Sequence, residues 1–249
     1  MGPLEGSRME WNTLSAGELH LWTVETVGSD EVYQAVRGVL AEDELVRADR
    51  FHADLHRRRF VFGRAALRIL VGQYTCTDAR AVRFCYGAQG KPALADVEHP
   101  LRFNASNSGD LAAFVFATGC EVGVDIEQHR AVSDLSHIAE RFFSREEADE
   151  LAAVPEPDRK AAFFRCWTRK EAFIKALGGG FSIPLGSFRV AFRSDEEARL
   201  LAIEGSAERA REWQMHDFDP GADYAGAVIY SGAAREISKY SMVINFRPL

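Results

Sequence analysis

The sequence contains no apolar run long enough to cross a bilayer. Its most apolar stretch, Leu111 to Val124, is broken by Thr118 and Glu121, and a spanning helix needs roughly 20 consecutive apolar residues. No basic segment followed by an apolar one opens the chain, so no secretory signal is expected. Cysteine is scarce: there are four in 249 residues, with no CxxC pair and no His at zinc-ligand spacing. That scarcity excludes a disulfide scaffold and a zinc ribbon. It predicts Cys76, Cys85, Cys120 and Cys166 to be small buried hydrophobes in a reducing compartment, the cytoplasm. Neither GxxxxGK[S/T] nor GxGxxG occurs, so the two commonest nucleotide-binding loops are absent. Positive charge is in the minority, with 30 Lys and Arg against 37 Asp and Glu, for a net charge of −7. This excludes nucleic-acid binding driven by bulk charge and leaves room only for a local basic patch.

What is present is the composition of a globular protein. Hydrophobic residues make up 47% and charged residues 27%, with 17 Phe and 4 Trp, which excludes disorder. The length fits one sizeable domain or two small ones. Leu19 to Val27 alternates as an opening strand does. A helical pattern then runs from Ala41 to Gln73, with Phe51, Leu55, Phe62, Ala65 and Ile69 on one face and Arg57, Arg64 and Arg68 on the other. Those arginines read either as a solvated face or as a patch for phosphates. Strands are expected at Ala81–Tyr86, Leu101–Asn104, Ala112–Ala117 and Val122–Glu127. Ser106-Asn-Ser-Gly-Asp110 is expected to be a turn. Helices are expected at Leu135–Phe143 and Lys160–Leu177, the latter stopped by Gly178-Gly-Gly180. Between them Ser144-Arg-Glu-Glu147 matches a capping box. Strand patterns follow at Phe188–Phe192, Trp213–Phe218 and Tyr224–Tyr230. Strands and helices alternate unevenly, which favours an α+β fold over a doubly wound parallel sheet.

Two segments carry chemistry. In Gly123-Val-Asp-Ile-Glu127, strand periodicity sends Asp125 and Glu127 to one side and Val124 and Ile126 to the other. Adjacent carboxylates repel, and a hard divalent cation such as magnesium relieves them; the other reading is an acidic face of a half-exposed strand. In the helix that follows, Phe163, Trp167, Ile174 and Leu177 form an apolar stripe with Glu171 and Lys175 four residues apart on its edge. That pair reads either as a surface ion pair or as a carboxylate and an ammonium at the rim of a cleft.

Taken together, Gly123-Val-Asp-Ile-Glu127 and Trp167-Thr-Arg-Lys-Glu-Ala-Phe-Ile-Lys175 resemble the paired signature of the 4'-phosphopantetheinyl transferase superfamily. More narrowly they resemble its longer, surfactin-synthetase-activating (Sfp) type. Gly90-Lys-Pro92, Phe103-Asn-Ala-Ser-Asn-Ser108, the stretch from Arg50 to Arg68 and Phe142-Phe-Ser-Arg-Glu-Glu147 extend the likeness from about residue 40 to 190, in order.

The resemblance implies a monomeric pseudodimer of two similar α+β halves, with the active site in the cleft between them. Residues 1–120 would bind coenzyme A, and residues 121–249 would carry the metal site and catalytic helix. It implies transfer of phosphopantetheine from coenzyme A to a serine of an apo-acyl or apo-peptidyl carrier protein, releasing 3',5'-ADP. Asp125, Glu127 and Glu171 would hold Mg2+, for which Mn2+ could substitute. Glu171 would take the serine proton, directly or through water, and Lys175 would contact phosphate. Arg47, Arg64, Lys91, Ser106 and Asn107 would bind coenzyme A. Asn107 stands where the family usually has His, and Glu44 where it has a second basic residue. The segment from His129 to Leu135 is a candidate carrier-docking surface. Neither nucleic acid nor membrane is expected as a partner. Two rivals differ in class: a metal-dependent nuclease gripping its substrate with Arg57-Arg-Arg59, which lacks the usual Lys two residues after Glu127, and a catalytically silent carrier-binding subunit.

Overall fold

The computed structural model of the chain describes residues 14–87, 89–130, 132, 134–178 and 183–245. In chain order its elements begin with β1 (Glu18–Glu25), α1 (Asp30–Arg37), α2 (Glu42–Asp49) and α3 (Asp54–Tyr74). Strands β2 (Phe84–Tyr86), β3 (Pro92–Leu94), β4 (Leu101–Ser108), β5 (Leu111–Thr118) and β6 (Val122–Gln128) follow. Next come α4 (Leu135–Phe142), α5 (Arg145–Ala153) and α6 (Glu156–Leu177), then β7 (Phe188–Val190), β8 (Leu200–Ile203) and the short α7 (Ala207–Ala210). The strands β9 (Trp213–Phe218), β10 (Tyr224–Ser231) and β11 (Glu236–Met242) complete the series.

One sheet has the order β11-β1-β5-β4 and a second the order β6-β10-β9, with two small hairpins, β2-β3 and β7-β8, beside them. Strands alternate faces, and three cores follow from that. Trp22 and Val24 of β1, with Phe114 and Phe116 of β5, turn to Phe62, Ala66 and Leu70 of α3. Leu19, Leu21 and Val115, on the opposite face of the same strands, meet Val124 and Ile126 of β6 and Val228 and Tyr230 of β10. Ala227 and Ile229, on the far face of β10, pack on Phe163, Phe164 and Phe173 of α6. The layers are thus α3, first sheet, second sheet, α6. Strand β5 is buried on both faces, which is why it reads as an apolar run without alternation. Strand β11 pairs in parallel with β1, so the last strand among the described residues returns to the first sheet. The fold is mixed α+β.

Several expectations change. The pattern from Ala41 to Gln73 is two helices, α2 and α3, because the chain leaves helical geometry at Ala53 (φ −87°, ψ 128°). No Gly or Pro marks the break, so the periodicity runs across it. On α3, Leu55 is half exposed, whereas Arg68 is buried. Ser106, Asn107 and Ser108 belong to β4 rather than to a turn. The β4–β5 pairing extends to Ser108 opposite Leu111, and Gly109-Asp110 alone makes the turn. Cys166 is buried as expected, but Cys76 and Cys85 are exposed. The capping box at Ser144 and Glu147 is present, and Gly178 ends α6 in the left-handed conformation at φ 69°.

Candidate active site

Gly123 sets the distance between β6 and α6. A Cβ at this position would lie 2.0 Å from the Ala172 carbonyl oxygen and 2.6 Å from the Ala176 nitrogen, so only glycine permits the approach. Asp125 and Glu127 share the Gly123 side of β6, and Glu171 and Lys175 flank Ala172 and Ala176 on α6. Lys175 Nζ donates to Asp125 Oδ1 at 2.6 Å and to Ser106 Oγ at 2.7 Å.

The free edge of β6 faces β4, which meets it with side chains. Asn104 Oδ1 accepts from the Val124 amide at 3.0 Å, Ser106 Oγ from Ile126 at 3.4 Å and Ser108 Oγ from Gln128 at 3.0 Å. Ser106 also donates to Asp125 Oδ1 at 2.8 Å, and Ser108 to Glu127 Oε2 at 2.7 Å. Three side chains of β4 thereby replace the carbonyls of a sheet neighbour, and the two serines also fix both acids.

Burial pushes the Asp125 carboxyl above the usual range, against the pull of Lys175. Burial also raises Glu127, with Ser108 opposing and Asp125 reinforcing the shift. Glu171 is raised by burial first, then by the charge of Asp125, with Glu127 adding to it and Lys175 opposing. The three acids therefore lie within electrostatic reach of one another. Asp125 Oδ2 is buried without a hydrogen-bond partner. Among the described residues no group of three Asp, Glu, His or Cys side chains forms a ready-made metal site. The chemistry nonetheless suits a hard divalent cation: the donors are carboxylate oxygens, one buried oxygen is orphaned, and mutual repulsion awaits neutralisation. The Lys175 ammonium supplies part of that neutralisation.

A cavity of about 730 Å³ reaches Glu127 and is lined among others by Arg47, His56, Phe60, Gly63, Arg64, Asn107, Ser108 and Arg130. It brings Arg47, Arg64 and Asn107 together with Glu127. The Arg64 guanidinium lies 5.8 Å from the ring centres of Phe60, Phe84 and Tyr86, and its Nη1 is buried without a partner. Beneath it, Glu44 binds Arg68 Nε at 2.5 Å and stands 3.6 Å from Arg64 Nε. Arg68 donates as well to the Ala79 and Val82 carbonyls, so it is neither solvated nor available to phosphate. Lys91 meets main-chain carbonyls in this structure. Its Nζ donates to the Val122 and Ala176 carbonyls at 3.4 and 3.3 Å, where it ties the start of β6 to the end of α6, and burial lowers its pKa. Arg57, Arg58 and Arg59 pair with Asp54, Asp30 and Asp110, which removes the free cationic row that a nuclease reading needs. Val132 and Leu135 are partly buried against the second core, while 131 and 133 lie outside the described residues.

Sequence reasoning missed Asn104 and Ser108, which with Ser106 recur at the spacing of two that also separates Asp125 from Glu127. It also missed the buried pair behind Glu171. Lys170 Nζ lies 2.7 Å from Glu147 Oε2 with both side chains at 0% exposure, and it donates to the Leu185 and Phe188 carbonyls.

Residues 121–229 match the 4'-phosphopantetheinyl transferase superfamily. The 4'-phosphopantetheinyl transferase HetI of Nostoc sp. is 36% identical over 88% of this chain and 90% of its own length. The 4'-phosphopantetheinyl transferases psf-1 of Bacillus pumilus and Sfp of Bacillus subtilis are 35% and 29% identical, over 76% and 69% of this chain and 79% and 75% of their own. A solved apo-ACPS structure from Chronobacterium ammoiniagenes aligns with TM-score 0.37 and 19% identity, covering 46% of this chain and 99% of that one. The chain belongs to the 4'-phosphopantetheinyl transferase superfamily and is a transferase of its Sfp type.

Proposed function

We propose that the protein transfers the 4'-phosphopantetheine moiety of coenzyme A to a serine of an apo-acyl or apo-peptidyl carrier protein, releasing 3',5'-ADP. The observation that carries this reading is the meeting of Asp125, Glu127, Glu171 and Lys175, with Glu127 on the wall of a cavity lined by Arg47, Arg64 and Asn107.

Phosphoryl transfer asks a protein chiefly for positioning and charge neutralisation. Asp125, Glu127 and Glu171 are the residues that would hold Mg2+, or Mn2+ in its place. When bound, such a cation neutralises pyrophosphate charge and stabilises the leaving group. Lys175, already aimed at Asp125, is placed to bind phosphate. Arg47 and the unpartnered Arg64 Nη1 are suited to the phosphates of the nucleotide end. Asn107 can donate to phosphate there without adding charge. Ser106 turns toward Asp125 and Lys175, so its contribution is to orient them. Glu171 keeps partial exposure while Asp125 is sealed at 3%. Of the two, Glu171 is therefore the acid that a carrier serine can reach, and it is our candidate for the proton acceptor, directly or through water. Such proton removal is worth ~10²–10⁴-fold in rate.

The same reading takes the molecule as a monomeric pseudodimer divided near residue 120, with residues 1–120 and 121–249 as its halves. The helix-on-sheet units built on α3 and α6 support this, and β11 crosses back to the first unit. Four free cysteines fit a cytoplasmic location, and no helix among the described residues is long and apolar enough to cross a membrane. Val132 and Leu135, in the segment that follows the acidic strand, are proposed to meet the carrier. The test is incubation with coenzyme A, Mg2+ and a panel of apo-carriers. The expected result is a carrier heavier by one phosphopantetheine, with 3',5'-ADP in solution. An unchanged mass on every carrier, or nicking of plasmid DNA under the same conditions, contradicts the reading.

A further inference from the structure

Ser108 has no part in the transfer as described, yet it is the sole hydrogen-bonding partner of the Glu127 carboxylate among the described residues. A serine hydroxyl has one proton and two lone pairs. The Gln128 amide points at Ser108 Oγ from 3.0 Å, and that oxygen can only accept from it. The hydroxyl proton is left for Glu127 Oε2, 2.7 Å away. Direction is thus set by the backbone of β6 itself. Ser106 repeats the arrangement two residues earlier. Its Oγ accepts from Ile126 and Lys175 and donates to Asp125 Oδ1. Both carboxylates lie 19 residues from their serine, so the two hydroxyls are in register with the two acids along parallel-running strands.

The two acids differ in how well they are held. Asp125 is sealed and has both Ser106 and the Lys175 ammonium, whereas Glu127 has Ser108 alone and lines the cavity. A glutamate free of that bond would lose its alignment to rotamer disorder.

We propose that Ser108 is a positioning residue, which clamps one oxygen of Glu127 so that the other is presented toward the cavity for a divalent cation. This rests on reading Glu127 as a metal-side carboxylate. A partner that orients a ligand in this way typically changes metal affinity by about 10–100-fold when removed.

The test is an electron paramagnetic resonance titration of Mn2+ into the protein with coenzyme A present and a protein-free blank. Ser108→Ala, Ser108→Thr, Glu127→Gln and the double variant S108A/E127Q are compared. Ser108→Ala is expected to weaken Mn2+ binding about tenfold or more, and Ser108→Thr, which keeps the hydroxyl, to stay within about twofold of the parent. The double variant should bind no more weakly than Glu127→Gln, because the serine acts through that carboxylate. In turnover, Ser108→Ala should lower kcat and leave KM for the carrier unchanged. Parent-like Mn2+ affinity in Ser108→Ala while Glu127→Gln is weakened overturns the positioning role and leaves the metal reading standing. Losses that multiply in the double variant overturn it too, since Ser108 would then act elsewhere. Parent-like binding by Glu127→Gln, or none by the parent, removes the metal reading and this inference with it. Should Ser108→Ala fail to fold, Ser108→Cys, of similar size with a much weaker donor, serves for the same comparison.

Discussion

Lys175 Nζ stands 2.6 Å from the Oδ1 of Asp125, a residue 50 positions earlier in the chain. The ammonium occupies the flank of a carboxylate whose second oxygen has no partner. Removing it strands a buried charge. Lys175→Met should therefore lower stability by about 2 kcal/mol, read as a fall in Tm without added metal. Excess Mn2+ should return much of that Tm, since a cation binding the native state stabilises it. Transferase activity should not return, since Lys175 is also proposed to bind phosphate. Parent-like Tm in Lys175→Met would contradict the electrostatic role.

Gly123→Ala tests the strand–helix approach. The new methyl would meet backbone atoms of α6 at 2.0 and 2.6 Å, and backbone does not yield as a flexible side chain does. We expect a loss of at least about 1–3 kcal/mol from overpacking. Activity should fall further than stability alone explains, because Glu171 and Lys175 would be carried away from Asp125. Chemical denaturation and a carrier-modification assay at low temperature separate the two effects.

The Glu147–Lys170 pair anchors α6 one residue before Glu171. Lys170→Met leaves Glu147 buried and unpaired and should cost about 3–5 kcal/mol in urea denaturation. The double variant E147Q/K170M should be less destabilised than Lys170→Met, since no buried charge remains. Equal losses in both would show that the pair matters through packing alone.

Three histidines give the protein an acid-side weakness. Burial lowers the pKa of His20, of His129 and of His216 below the usual 6.5. Below that value the unfolded chain takes up protons that the native fold resists. The stability these groups contribute is present above pH 6.5 and is lost as pH falls through their folded values. Tm measured from pH 7 down to about 5 should decline more steeply in the parent than in His20→Gln. An identical slope would exclude His20 as a source.

Much of the site was legible because it lies on regular elements. The spacing of Asp125 and Glu127 reports a strand, that of Glu171 and Lys175 a helix, and Ser144 with Glu147 a cap; each follows from local geometry. What escaped depends on which elements meet. The polar composition of Ser106-Asn-Ser108 suggested a turn, but those side chains stand in for main-chain carbonyls beside β6, a role set by tertiary contact. Arg68 looked exposed by periodicity and is buried because Glu44, from a separate helix, closes over it. Lys91, which the resemblance puts at coenzyme A, binds two carbonyls whose convergence exists only once β6 and α6 are packed. Strand β11 carries weak alternation and owes its place to β1.

The most direct test of the account compares the parent with Asp125→Asn, Glu127→Gln and Glu171→Gln, each shown to be folded, in single-turnover modification of one responsive carrier followed by intact mass spectrometry. If the three acids act as one cation-holding unit, each substitution should cost on the order of 10²-fold or more, and pairs of substitutions should cost little beyond the worst single one. Parent-level rates in any of the folded single variants, or losses that multiply cleanly across pairs, would contradict it.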